Sequence, residues 1–145
     1  MAKKKILVLN ALIAISREGE DDCRRAAHAA ANPHLKSLLT SRANAFALAA
    51  QELQGCLLEL GQVPEAMPAA ACRGRAGKHR SDRAILHAVS KGEQAVQRRY
   101  ARALRAHVLG SRVRALVRRQ YRGVQVSHEL FRVLREQYRA QAARA

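Results

Sequence analysis

The chain has 145 residues and a formal net charge of +16, with 27 Lys and Arg against 11 Asp and Glu. That length suffices for one domain with a real core, without metals or disulfides to hold it. Trp is absent and aromatic residues make up only 3% of the chain, which disfavours sheet and points to helices packed over Ala, Leu and Val.

The first helix is expected over about residues 4–31. Lys3-Lys4-Lys5 followed by ILVLNALIAIS looks like the start of a secretory leader. Asn10 interrupts the run, however, and no small-x-small cleavage site precedes Arg17. The stretch also falls short of the roughly 20 apolar residues that a membrane span needs. A cytoplasmic protein with no membrane association is the expectation. The inward stripe of this helix reads Ile6, Leu9, Ile13, Ser16, Glu20, Cys23 and Ala27.

Asn32-Pro33 ends the first helix and opens a second over 33–60, since Pro suits a first helical turn and restricts the residue before it. Its stripe is Leu35, Leu38, Arg42, Phe46, Ala49, Leu53, Cys56 and Leu60. Gly61 to Pro64 closes it, and a linker follows over about 61–80, with Gly74 and Gly77. Ser81 is a good N-cap for a third helix over 81–108, with Asp82 favourable in its first turn. Its stripe is Leu86, Val89, Glu93, Val96, Tyr100 and Leu104. Gly110-Ser111 closes the third helix and caps a fourth over 111–141, striped by Val113, Val117, Gln120, Val124, Phe131, Leu134 and Tyr138. Short joins after the first and third helices make those neighbours antiparallel. The expected fold is therefore all-α, a single up-down-up-down four-helix bundle over 1–145.

The residues that break the apolar stripe carry the most information. Glu20 and Glu93 fall inward at mid-helix, Gln120 does the same in the fourth helix, and Arg42 approaches that face in the second. A buried carboxylate costs several kcal/mol unless it is paired, hydrogen-bonded or metal-bound. Di-iron bundles place one carboxylate on each of two helices and a Glu-x-x-His on each of the other two. Three residues before the six histidines stand Arg25, Ala31, Ala76, Ala84, Leu104 and Gln125, none of them acidic. Gln125-x-x-His128 comes nearest, with an amide in place of the ligand. Glu20, Glu93, Gln120 and His128 therefore read as an internal polar layer, with Arg42 or Arg24 as counter-ion. The alternative is a degenerate iron or manganese site.

No catalytic arrangement is visible. There is no G-x-S-x-G, phosphate-binding loop or dinucleotide-binding glycine pattern. Ser127, His128 and Glu129 are sequence neighbours that point in different directions on a helix. Cys23, Cys56 and Cys72 cannot all pair within one chain and form no C-x-x-C, so Cys23 and Cys56 read as buried hydrophobes in a reducing compartment. A non-enzymatic protein without a cofactor is expected.

Residues 71–145 hold nineteen Lys or Arg against four acidic residues, whereas the first seventy are almost neutral. Arg98, Arg99, Arg102, Arg105, Arg112, Arg114, Arg118, Arg119 and Arg122 occupy much of the outer surface of the last two helices, and Arg suits phosphate geometry. Electrostatic binding of nucleic acid or another polyanion is one reading. A solvated Arg-rich face left by a GC-biased coding sequence is the other. Specific base readout is not expected, because no helix-turn-helix, zinc finger or aromatic platform is present. Ala-rich outer faces also suit a homo-oligomer.

Several strings carry a resemblance: LNALI at 9–13, EGE at 18–20, PHLKSLL, RA and QEL between 33 and 53, LGQVPE at 60–65, KGEQA at 91–95 and QYRGVQVSHELFRVLR at 120–135. In this order and spacing they resemble a bacterial family of small ferritin-like four-helix bundles of unknown function. The resemblance implies a ferritin-like bundle with no established activity, with a stress-related role as one reading. Glu20, Glu93 and His128 match the family's characteristic polar positions. The chain departs from the pattern at His28, where a Glu is usual, and at GKHR (77–80), which lacks the usual Trp. Its second half is also far more basic than the family leads one to expect.

Overall fold

The computed structural model describes residues 2–63 and 81–144. They form four helices, α1 (Ala2–Ala29), α2 (Pro33–Glu59), α3 (Asp82–Arg105) and α4 (Ser111–Arg144), and no strand. The expected linker falls outside the described residues except for 61–63, as do Cys72 and His79.

The helix ends follow local chemistry. Asn32 takes an extended conformation and its Oδ1 accepts from the N–H groups of His34 and Leu35, with Pro33 just inside the helix. Gly61, at φ 75°, ends α2: Gly61 N donates to Leu58 O and Gln62 N to Leu57 O. That paired closure needs the left-handed conformation glycine adopts freely. Ser81 Oγ accepts from Ala84 N and caps α3 as expected. The third helix stops at Arg105, three residues before the expected end, because His107 adopts a left-handed φ of 54°.

The expected up-down-up-down order is corrected by the contacts between helix ends. Asp82, at the start of α3, accepts from Ala31 N at 2.8 Å and Asn32 N at 2.9 Å, so α3 begins beside the α1–α2 turn. Glu59, at the end of α2, pairs with Arg112 at the start of α4. A Cβ built on Gly110 would stand 3.6 Å from Lys5 Nζ, which puts the start of α1 at that same end. Helices α2 and α3 therefore run the same way, and the order is up-down-down-up. Short joins force antiparallel neighbours, but about 20 residues between α2 and α3 can reach back along the whole bundle at roughly 3.3 Å each. Loop length alone did not distinguish a return from a crossover.

The core divides into two apolar clusters. One holds Leu9, Leu12, Phe46, Leu53, Val96, Tyr100, Val117 and Val124, and the other Ala27, Leu35, Leu39, Ile85, Leu86 and Phe131. Among the described residues no helix is long and apolar enough to cross a membrane.

The Asp82 clamp yields a test. Asp82→Ala removes two charge-assisted hydrogen bonds that tie the arriving α3 to the α1–α2 turn. At this partly exposed site we expect a loss of about 1 kcal/mol, read from urea unfolding. An unchanged midpoint would mean that water replaces the carboxylate without cost.

Candidate functional site

The boundary between the two clusters is polar. On α2, Arg42 stands between Leu39 of one cluster and Ala43 of the other; on α3, Glu93 stands between Leu86 and Val96. Arg42 Nε donates to Glu93 Oε2 at 2.5 Å and Nη2 donates to Oε1 at 2.8 Å, a two-pronged pair that engages both carboxylate oxygens. The side chains are 8% and 1% exposed, so both charges are withdrawn from water. The guanidinium also lies over the Phe46 ring, 3.8 Å from its centroid. Gly19 of α1 gives that ring its space, since a Cβ there would meet three ring carbons at 2.7–2.9 Å.

Glu20 is not drawn into this pair. It sits at the margin of α1 with its side chain 20% exposed, held by Arg17 at 3.3 Å and Arg24 at 2.9 Å. Gln120 is buried in a second polar group, where it accepts from Tyr100 Oη at 2.8 Å and donates to Ala49 O and Glu52 Oε1. Arg119 completes the group by donating to Glu52 Oε2 at 2.9 Å. Burial raises the Glu52 carboxyl, but the hydrogen bonds from Gln120 and Arg119 and the Arg119 charge outweigh it and hold the group below its ordinary range. His128 stands on α4 between Val124 and Phe131, at the cluster boundary. Its Nε2 is buried and has no hydrogen-bond partner among the described residues.

These residues do not fit iron or manganese. Glu93 spends both oxygens on Arg42, Glu20 is held by two arginines, and His128 has no acidic residue one turn away on its own inward face. Among the described residues no three of His, Cys, Asp and Glu come together in a way that would hold a metal ion. The thiols are equally unsuited to nucleophilic work. Burial, and secondarily the Glu93 charge, push Cys23 up to about 12, and burial raises Cys56. Both remain protonated near neutrality.

Residues 4–106, spanning α1 to α3, match the family described as a domain of unknown function, DUF2383. The chain belongs to this family. No curated protein matches it. The motifs from LNALI to KGEQA lie within the matched residues, and the α4 string at 120–135 lies beyond them. In this DUF2383 member both partners of the buried pair, Arg42 and Glu93, fall within the family match.

The basic residues of the outer face divide into two groups. Arg112 and Arg119 pair with Glu59 and Glu52 of α2, and Arg114 donates to Leu104 O. Arg98, Arg99, Arg102, Arg105, Arg118 and Arg122 are exposed and have no acidic partner among the described residues. Gly19, which admits Phe46, was missed as a site residue. Its signal was a glycine inside a strong helical pattern, which marks close approach of another group.

Proposed function

We propose that this DUF2383 chain is a non-enzymatic bundle of ferritin-like type that binds polyanions, nucleic acid foremost, through α3 and α4. The observation that carries the reading is the set of six exposed arginines on adjacent helices with no acidic partner among the described residues. An arginine already paired must give up its carboxylate to bind phosphate, whereas these six lose only water. The ferritin-like assignment is supported by a single long crossover between α2 and α3. The place where such bundles set metal-binding carboxylates is closed here by the Arg42–Glu93 pair. Direct metal chemistry is therefore no part of the proposed role.

Two measurements test the reading. Fluorescence anisotropy of labelled nucleic acid is expected to give an affinity that falls roughly a hundredfold or more between 50 and 200 mM salt, the signature of released counterions. Binding indifferent to salt would sink the electrostatic mechanism. After incubation with Fe(II) or Mn(II) and desalting, stoichiometric retained metal would overturn the closed central layer.

A further inference from the structure

The stretch of the last two helices that carries the six exposed arginines named above holds no exposed large apolar residue. The exposed large apolar residues of α4 are Val126, Leu130 and Val133, and α3 exposes none. Arg98, Arg99, Arg102, Arg105, Arg118 and Arg122 lie on α3 and on α4 before Val126, whereas further along α4 Arg132 and Arg139 are paired with Glu129 and Glu136. Binding to an anionic membrane favours apolar side chains interleaved with the cations, an arrangement missing from this zone. Nor is there a surface for unstacked bases. Phe46, Tyr100 and Phe131 are buried and Tyr121 and Tyr138 half-buried, so no Phe or Tyr ring stands exposed as a platform.

The register of α3 against α4 then arranges the charges. The Tyr100–Gln120 hydrogen bond fixes the heights of these antiparallel helices. Counting outward from it, Arg98 stands level with Arg122, and Arg102 with Arg118. The two levels are four residues apart, about 6 Å along the axis. The arginines thus form a short ladder on rigid helices rather than a charged tail. Two helices packed about 8–10 Å apart, each about 10–12 Å across, present a face wider than the ~12 Å major groove. Such a face rests on the rims of the groove and does not reach the base edges.

We infer that the α3–α4 ladder binds duplex nucleic acid through its phosphate backbone, without reading base sequence. This inference rests on the polyanion reading and narrows it to one ligand class.

The test compares two 20-base-pair duplexes of unrelated sequence, a single strand of equal length, heparin, and vesicles of phosphatidylserine. Both duplexes are expected to bind within about twofold of one another and about tenfold tighter than the single strand, with a log–log salt slope near −4. Replacing Arg98, Arg102, Arg118 and Arg122 together by Gln is expected to reduce that slope by about 3 to 4 and the affinity at least tenfold. Removing the same charge through Gln at Arg17, Arg25, Arg132 and Arg139 is expected to change the slope by about 1 or less. Circular dichroism checks that both variants fold. A single strand bound as tightly as duplex, a strong preference for one duplex, a ladder variant indistinguishable from the other, or vesicle binding without duplex binding overturns the inference while leaving polyanion binding standing. Failure to bind any of the ligands, heparin included, removes both.

Discussion

Glu93→Ala is expected to lower stability by about 3–5 kcal/mol, because it strands the Arg42 guanidinium in a site where the side chain is only 8% exposed. For a chain of this size that corresponds to a fall in Tm of roughly 10 °C or more. The loss is not the worth of the pair itself. Desolvating both charges offsets most of their attraction, and the cost of the single variant comes from leaving one charge without its partner. The double variant Arg42→Met with Glu93→Leu separates these terms. It is expected to be near neutral or up to a few kcal/mol more stable than the natural chain. Urea unfolding of the three proteins decides the matter. A loss below about 1 kcal/mol in Glu93→Ala would mean that Arg42 swings into water, and that the layer between the clusters is open rather than closed. If the single variant fails to fold, the double variant still tests the claim, since a true buried pair leaves it folded.

The same comparison addresses why the pair is kept. Arg42 and Glu93 join α2 to α3, helices separated in sequence by the long crossover and lying parallel across the bundle. A two-pronged ion pair accepts only one relative height, since sliding either helix by a turn leaves both charges buried and unpaired. We expect the apolar double variant to hold its stability while losing uniqueness, read as broadened side-chain NMR signals. Sharp, well-dispersed signals would show that the two apolar clusters set the register unaided.

Much of this arrangement was legible from the residues alone. Asn32-Pro33, Gly61 and Ser81 each mark a helix end by local chemistry, so the boundaries needed no tertiary information. Arg42 and Glu93 stood out because each breaks an apolar stripe, and a buried charge must find a partner. Helix direction was not legible, because a connection of about 20 residues permits either a return or a crossover. Glu20 fell inward on the helical wheel beside Ser16 and Cys23, yet its side chain leans outward to Arg17 and Arg24 on its own helix. A stripe locates a face to within about one residue's rotation, and at its edge the nearest counter-ions decide which way a long side chain turns.

Gly19→Ala is expected to destabilise the protein by about 2 kcal/mol, against the usual rule that Gly→Ala in a helix interior stabilises by about 1 kcal/mol. The reason is spatial. The added methyl would stand 2.7 Å from Phe46 Cζ and under 3 Å from two more ring carbons, so the buried ring must move. Moving it disturbs the surface on which the Arg42 guanidinium lies, and the cost reaches the ion pair. Gly55, Gly92 and Gly123 provide the contrast, since a Cβ at each meets nothing within 4 Å and all three lie in helices. There the substitution is expected to stabilise by about 1 kcal/mol apiece, through helix propensity alone. Thermal melts of the four single variants should therefore split by sign, with Gly19→Ala below the natural chain and the other three above it. If Gly19→Ala joins the stabilised group, Phe46 has room to withdraw without loss, and the close approach of α1 to this ring does not hold Arg42 in place. Combining Gly19→Ala with Phe46→Leu sharpens the assignment. The smaller side chain relieves the collision, so the two changes should be non-additive, and the pair less destabilised than the sum of its members. Simple additivity would locate the cost of Gly19→Ala somewhere other than this ring.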